Sequence, residues 1–265
     1  MEETDPSILP SKTLDQLISL QQLSGPGIRP AYLATGVSGH LPTRTAPGGS
    51  FPEPKAQAAE LSATVAEKIL LYRKDESGWK TCRSSNEVTV SWRPSSEFPG
   101  NLYKGDGIIY DTLDRVWKFL DPARNALRIK WDQNVKDFQV LEVIKDDLFI
   151  TRTITPSAAM KLISPRDFVD LVLVKRYNDG AIASNATYVE YPPCPPQSGY
   201  VRGFNHPCGC FCEPVPGEPN KTRVVSFFQT DLSGYLPQTV VESFFPHSMA
   251  EFYNNLQKAV KKLQV

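Results

Sequence analysis

Near its C-terminus the chain reads Gln238-Thr-Val-Val-Glu-Ser-Phe-Phe-Pro-His-Ser-Met-Ala-Glu-Phe-Tyr-Asn-Asn-Leu-Gln-Lys-Ala-Val-Lys-Lys-Leu263. Apolar residues recur here at steps of three and four, the spacing of one helical face. The pattern predicts one long amphipathic helix, kinked or broken at Pro246 because proline removes a helical hydrogen bond. Such a helix is either an ordinary core helix or the cover of a cavity. Its apolar positions are Val241, Phe244, Phe245, Met249, Phe252, Tyr253, Leu256, Val260 and Leu263.

The sequence upstream of this helix predicts an antiparallel sheet. Asp167-Phe-Val-Asp-Leu-Val-Leu-Val-Lys-Arg176 is the strongest strand signal, and the hairpin turn Asn178-Asp-Gly180 follows it. Helices are predicted at Ala58–Tyr72 and around Val116, with the second stopped by Asp121-Pro122. Short turns between consecutive strands favour an α+β fold, in which a twisted sheet curls beneath the closing helix. The other predicted strands are Glu87–Trp92, Leu102–Tyr110, Phe138–Ile144, Leu148–Ile154, Ala181–Tyr191, Tyr200–Phe204, Cys208–Pro214 and Thr222–Leu232.

Composition describes an ordinary globular protein of 265 residues. Basic and acidic residues are equal, 29 each, so no net charge favours nucleic acid or an anionic membrane. No apolar run approaches the ~20 residues that a membrane span needs. The acidic start, Met1-Glu-Glu-Thr-Asp5, lacks the features of a signal peptide, and five cysteines favour free thiols in a reducing compartment. We therefore expect a cytoplasmic protein.

Residues 1–55 differ in composition from the rest of the chain. Eight prolines and only two aromatic residues, Tyr32 and Phe51, fall in this segment. Such a composition cannot bury enough apolar surface to order itself, so we predict a disordered N-terminal extension followed by one domain at 56–265. A short helix around Leu14 and Ile18 could alternatively dock a partner.

No residue pattern in the chain indicates catalysis or a metal site. His206-Pro-Cys-Gly-Cys-Phe-Cys212 contains zinc-ligand residue types, but its alternating cysteines lack the usual spacing of a structural zinc site. On a strand these cysteines share one face, as small residues lining a core or a pocket would. The three histidines show no arrangement with a nucleophile. We expect no enzyme activity, no metal and no cofactor.

Charged and polar residues within strongly apolar strands are the remaining candidates for a site. Arg128, Arg152, Thr153 and Asp170 fall in this class. If an arginine meets Asp170 inside the fold, the pair could orient a ligand through a hydroxyl or carboxylate. Salt bridges on an edge or on the outer face are the alternative for each residue.

Several motifs together resemble one known family. Ser164-Pro-Arg-Asp-Phe-Val-Asp170 is similar to the "PRD(F/Y)" strand of StAR-related lipid-transfer (START) domains. Trp131-Asp-Gln-Asn-Val135, Cys212-Glu-Pro-Val-Pro-Gly-Glu-Pro219 and Thr230-Asp-Leu-Ser-Gly-Tyr-Leu-Pro237 support the match, which runs from about Ala58 to the C-terminus. The resemblance implies a helix-grip fold, in which a curved antiparallel sheet surrounds a hydrophobic tunnel covered by the C-terminal helix.

The resemblance also implies a function without chemistry, which is to bind one lipid and carry it between membranes. Sterol-binding members hold an acidic residue and an arginine as a polar pair in the tunnel. Alignment on Pro165-Arg-Asp167 places Thr153 and Val172 at those positions, so this chain lacks the pair. The absence of the pair leaves room for a more polar steroid, such as a bile acid or an oxysterol, recognised by other groups.

The resulting hypothesis is a monomeric carrier that contacts membranes transiently. Its alternatives are an interaction scaffold with a structural START-like domain and a lipid-acting enzyme. The expected ligand-binding residues are Arg128, Arg152, Thr153, Asp170, Val172, Cys210, Val241, Phe245, Met249, Phe252 and Leu256.

Overall fold

A computed structural model describes residues 54–85 and 88–264, with the side chains of 54 and 124–126 excepted. The predicted extension at 1–55 therefore lies almost wholly outside the described residues, as does the docking helix suggested within it. The described part forms four α-helices, one 3-10 turn and twelve strands. The helices are α1 (Pro54–Lys74), α2 (Leu113–Leu120), α3 (Asn125–Arg128) and α4 (Gln238–Lys262), and the 3-10 turn is Pro122–Arg124.

Ten of the twelve strands in the described residues form one large, mainly antiparallel sheet. Its strands follow the order β1-β2-β3-β11-β10-β7-β6-β5-β4, and β8 adds to β6 in parallel. Strands β9 and β12 form a separate two-stranded ladder. This arrangement confirms the predicted α+β class. The strands are β1 (Lys80–Ser84), β2 (Val88–Pro94), β3 (Asn101–Ile109), β4 (Asp137–Lys145), β5 (Leu148–Ile154), β6 (Arg166–Arg176), β7 (Ile182–Tyr188), β8 (Val201–Arg202), β9 (Phe204–Asn205), β10 (Cys208–Pro214), β11 (Thr222–Phe228) and β12 (Thr230–Asp231).

The prediction missed one strand and merged two pairs of others. The prediction missed β1 as a separate strand because all five of its side chains are exposed, so no apolar alternation marks it. The single strand expected at Thr222–Leu232 is two strands, since β11 pairs with β3 and β12 pairs with β9. The strand expected at Tyr200–Phe204 is likewise divided between β8 and β9.

Helix α1 covers the outer face of the sheet. Val65, Ile69 and Tyr72 recur at helical spacing and pack into a cluster with Phe211 and Phe227. This cluster continues the apolar stripe of α1 onto the middle strands. Leu61, one turn before Val65, is 41% exposed and lies outside this cluster.

Helix α4 lies against the inner face, and its C-terminal half is firmly anchored. The Tyr253 hydroxyl hydrogen-bonds the Ser226 hydroxyl at 2.9 Å and donates to the Val224 carbonyl at 3.0 Å. Arg115 of α2 donates to two carbonyls at the end of α4, Val260 and Leu263, each at 2.7 Å. Orphan carbonyls at the helix end thus gain a cationic donor.

Pro246 lies inside α4, and the helix continues through it from Gln238 to Lys262. This confirms the prediction of one long helix, and of the two effects expected from Pro246 a break does not occur. Proline costs a helix one backbone hydrogen bond. Tertiary packing of neighbouring side chains, such as the stacking of Phe245 on Tyr103 at 5.3 Å between ring centroids, offsets that cost.

Candidate functional site

A cavity lies between the inner face of the sheet and the N-terminal half of α4. It has two lobes, which share Arg128, Phe138, Thr153, Phe228 and Phe252 in their walls. The α4 lobe measures about 250 Å³, and its walls include residues from the N-terminal half and the middle of α4. The Asp170 lobe measures about 130 Å³ and lies against the centres of β5, β6, β7 and β10. Their combined volume lies inside the range of roughly 300–1,000 Å³ for small-ligand sites, near its lower end.

Strand alternation decides which side chains reach the cavity. On β6, Phe168, Asp170 and Val172 face inward, and the intervening Val169 and Leu171 join an apolar cluster on the outer face. Successive side chains point to opposite faces of a sheet, so one residue of register separates a cavity position from an outer one.

Asp170 is the buried carboxylate of the Asp170 lobe. Its residue is 5% exposed, and its Oδ2 accepts a hydrogen bond from the Asn205 amide at 2.8 Å. Its Oδ1 has no hydrogen-bond partner. Burial raises the pKa of Asp170 to about 7, although the bond from Asn205 and the charge of Arg202 favour its ionised form.

Asn205 is held in place by the small β9–β12 ladder. It is the register partner of Thr230, whose hydroxyl donates to the Asn205 side-chain oxygen at 2.8 Å. That bond fixes the amide orientation, so its NH₂ group points to Asp170. Sequence reasoning missed Asn205 because no local pattern indicates a contact between residues 35 apart.

Arg128 is the charged residue common to both lobes. Its Nε donates to the Asp132 carboxylate at 2.7 Å. Asp132 accepts from the Asn134 backbone at 3.0 Å, and the Ser248 hydroxyl donates to the Asn134 side chain at 2.8 Å. These hydrogen bonds connect Arg128 to α4. The guanidinium also lies 5.2 Å from the ring centroid of Phe252, a cation–π distance.

Neither Arg152 nor Arg128 pairs with Asp170, so the alternative of salt bridges elsewhere holds for both arginines. Arg152 lies on the outer face, where its guanidinium contacts Asp167 at 2.9 Å and Gln197 at 3.0 Å. Arg152 follows Thr151 directly on β5, so it cannot share the inward face with it. Arg128 pairs instead with Asp132 of its own helical turn.

Asp167 is a second buried carboxylate, on the opposite side of β6 from Asp170. Burial raises its pKa, but the hydrogen bonds and charges of Arg202 and Arg152 outweigh that effect and hold the pKa below its usual value. The contrast with Asp170 follows from the partners, because Asp167 has two arginines and Asp170 has one neutral amide.

Arg166 lines the α4 lobe without offering a free guanidinium. Its three nitrogen atoms donate to backbone carbonyls of Leu232 at 2.9 Å, Ser164 at 2.6 Å and Ser233 at 3.0 Å. These contacts fasten the segment before α4 to β6. Arg166 therefore positions the cover of the cavity.

The structure brings eight of the eleven expected ligand-binding residues to the cavity. Val241 instead lines a neighbouring groove beside Phe98 and Tyr103, which shares Phe245 with the α4 lobe. Leu256 is fully buried away from the cavity walls, and Arg152 faces outward. Phe168 was missed, although its parity with Asp170 on β6 could have revealed it. The eight are Arg128, Thr153, Asp170, Val172, Cys210, Phe245, Met249 and Phe252.

Within the described part of the chain, neither histidine lines the cavity. His206 stacks on Phe98 with 4.6 Å between ring centroids, and His247 contacts Glu251 on the exposed side of α4. All five cysteines are free, and burial raises the pKa of the inward-facing Cys210 to about 12, which disfavours a reactive thiolate. No described group of histidine, cysteine, aspartate and glutamate side chains could hold a metal ion.

The fold and the cavity together define a helix-grip protein, in which α4 covers a cavity on the inner face of the sheet. The START domain model matches residues 60–264, and the chain belongs to this family. The chain is 68% identical to human StAR-related lipid transfer protein 5 over 207 residues, which cover 78% of this chain and 97% of that protein. It is 37% identical to human StAR-related lipid transfer protein 6, covering 76% and 90% of the two chains.

Solved structures support the same assignment. The structure of human StAR-related lipid transfer protein 5 matches with a TM-score of 0.76 and 66% identity, covering 78% of this chain and 98% of that one. The lipid transfer domain of human StarD13 matches with a TM-score of 0.60 at 22% identity, which shows the shared fold alone.

Proposed function

We propose that the protein binds one steroid molecule in the cavity beneath α4 and carries it between membranes without chemical change. The observation that supports this proposal is an internal cavity with mainly apolar walls and a few convergent polar groups. Similarity to proteins named lipid transfer proteins supports the broader function of lipid binding and transfer. We propose more specifically that the ligand is cholesterol, an oxysterol or a bile acid.

Apolar burial supplies the main affinity in this proposal. Each ~100 Å² of apolar ligand surface removed from water contributes about 2.5 kcal/mol, from which the entropy of association is subtracted. The aromatic rings of Phe168, Phe228, Phe245 and Phe252 supply much of the apolar surface around the cavity. The polar groups then select among lipids of similar size.

Exchange requires the ligand to enter and leave beneath α4. The C-terminal half of α4 is anchored through Tyr253 and Arg115, whereas its N-terminal half covers the α4 lobe. We expect the N-terminal half and the adjoining loops to open at a membrane surface. Replacing Pro246 by alanine adds a helical hydrogen bond and should slow exchange between vesicles. Unchanged exchange would contradict a role for Pro246.

The location and assembly of the protein follow the same proposal. No helix in the described residues is long and apolar enough to cross a membrane. A carrier must leave the membrane between deliveries, so we propose a cytoplasmic monomer with transient membrane contact. Sedimentation without vesicles measures the oligomeric state, and sedimentation with vesicles measures membrane contact.

Native mass spectrometry with a competing panel of cholesterol, an oxysterol, a bile acid and a phospholipid tests the ligand class. We expect one steroid per protein chain, released with unchanged mass. A phospholipid as the preferred ligand would contradict the steroid proposal, and a chemically altered lipid would contradict transfer without chemistry.

A pair of matched variants tests the location of the ligand. Val172→Phe adds a ring to the wall of the Asp170 lobe, whereas Val143→Phe adds the same ring at an exposed position on β4. Overfilling a packed site costs about 1–3 kcal/mol, so Val172→Phe should reduce steroid occupancy roughly tenfold and Val143→Phe should not. Equal occupancy in both variants would place the ligand elsewhere.

A further inference from the structure

The Asp170 lobe contains an acceptor that the described protein atoms leave unused. Asp170 Oδ1 is buried without a hydrogen-bond partner, while Oδ2 already accepts from Asn205. A buried polar group without a partner costs free energy, about 1–3 kcal/mol and more when it is charged. An acceptor kept in that state inside a cavity is suited to a donor that arrives with a ligand.

The nearby cations do not supply the missing donor. Arg152 and Arg202 both donate to Asp167 on the outer face of β6. Arg128 reaches the wall of the lobe, but its Nε is paired with Asp132. Asp170 is therefore not neutralised by a direct arginine contact, in contrast to Asp167.

The rest of the Asp170 lobe is small and mainly uncharged. Its polar walls include the hydroxyls of Thr151 and Ser184 and the thiols of Cys208 and Cys210. Burial raises the pKa of both thiols, which keeps them neutral. Arg128, Asp121 and Asp170 are the charged residues in this wall. A ligand carboxylate beside Asp170 would place two like charges in a desolvated space.

We propose that Asp170 accepts a hydrogen bond from a terminal-ring hydroxyl of the bound steroid, with Oδ1 as the acceptor. This inference rests on the proposed steroid-binding function and assigns the orientation of the ligand within it. The hydroxyl-bearing ring enters the Asp170 lobe, and the opposite end of the steroid lies in the α4 lobe. A carboxylate, when present, stays at that opposite end, because repulsion from Asp170 excludes it.

This orientation predicts that the protein binds a steroid alcohol more tightly than the corresponding ketone. Well above its pKa of about 7, Asp170 is ionised and can only accept. At about pH 8.5 a ketone, which is also only an acceptor, therefore leaves Oδ1 unpartnered, whereas an alcohol donates to it. A hydrogen bond to a charged group corresponds to a preference of roughly tenfold to a hundredfold. Wild-type protein should therefore bind cholesterol more tightly than cholest-4-en-3-one by that factor.

Asp170→Asn is the discriminating variant. Asn205 can still donate to the oxygen of the new side chain, which turns its NH₂ group toward the cavity as a donor for the ketone. The alcohol preference should fall at least tenfold or reverse. Asp106→Asn is the matched control, because Asp106 pairs with Arg223 outside the cavity, and it should keep the wild-type ratio.

Competition between the two steroids, measured as the ratio bound within one sample, is insensitive to a fraction of misfolded protein. An equal ratio in wild type and Asp170→Asn, with steroid bound in both, would overturn the assignment of Asp170 and leave the proposed steroid function intact. Failure of wild-type protein to bind either steroid, together with binding of another lipid, would overturn the steroid proposal and this inference with it.

Discussion

Replacing Asp170 by asparagine should stabilise the unliganded protein at alkaline pH and flatten its pH dependence. The folded state raises the pKa of this carboxyl from 3.8 to about 7 through burial. Between those values the folded protein binds more protons than the unfolded chain, so stability falls as pH rises. Asparagine keeps the shape of the side chain but does not titrate, so this dependence on pH disappears.

The size of the effect follows from the pKa difference. About 1.4 kcal/mol corresponds to each pKa unit, so ionised Asp170 destabilises the folded state by about 4 kcal/mol above its folded pKa. Roughly 2–3 kcal/mol of this change falls between about pH 5 and about pH 8.5. The groups that face Asp170 are Asn205 from β9, Cys208 from β10 and, at longer range, Arg202.

Urea unfolding of wild type and Asp170→Asn at both pH values measures the effect. Titration of all other groups is common to the two proteins and cancels in the difference between their free energies of unfolding. Between the lower and the higher pH, the free energy of unfolding of the variant should rise by about 2–3 kcal/mol relative to that of wild type. A difference that stays constant with pH would refute the desolvation of Asp170.

Three further predictions concern the supports of the cavity. Asp167→Asn should cost about 3–5 kcal/mol in urea unfolding, because it leaves the buried Arg152 and the partly buried Arg202 without their carboxylate; a loss below ~1 kcal/mol would contradict this role. Since the pKa of Asp167 is lowered, wild-type protein should also lose this contribution as pH falls through the folded pKa, and acid unfolding of the variant should lack that component. Arg166→Lys should cost roughly 1–3 kcal/mol and speed hydrogen exchange near the start of α4, because lysine cannot reproduce three carbonyl contacts; unchanged exchange there would show that Arg166 does not fasten the cover. Gly105→Ala should reduce the free energy of unfolding by about 1–3 kcal/mol and so lower the melting temperature, since a Cβ atom would lie 2.8 Å from both Ser226 Oγ and the ring of Tyr253. A melting temperature equal to that of wild type would mean that α4 adapts freely.

The sequence predicted the elements with strong periodicity most accurately. The bounds of β10 and β5 agree with the prediction, and α4 begins where it was expected. Apolar alternation and helical spacing are local properties, so they can be recognised without tertiary contacts. Strand β1 lacks such a pattern, since it is an exposed edge strand held by its pairing with β2.

The candidate site was harder to predict because apolar residues line both faces of β6. Val169 and Leu171 pack outward, and Phe168 and Val172 face the cavity, so composition does not distinguish the faces. Arg152 and Thr153 are adjacent on β5, so their side chains point to opposite faces of the sheet and cannot both face inward. Which of them does depends on tertiary packing, and the Asn205 contact depends on it entirely.

The β3–β11 pairing has a consequence for biosynthesis. In this pairing Ile109 lies beside Thr222 and Tyr103 lies beside Phe228, so two strands distant in sequence are neighbours in the interior of the sheet. At ~5–20 residues per second, a ribosome needs on the order of ten seconds to make the intervening chain. During that interval one edge of β3 lacks its partner and can associate with other chains. Folding of the finished sheet must await late synthesis, and such non-local pairing is intrinsically slow.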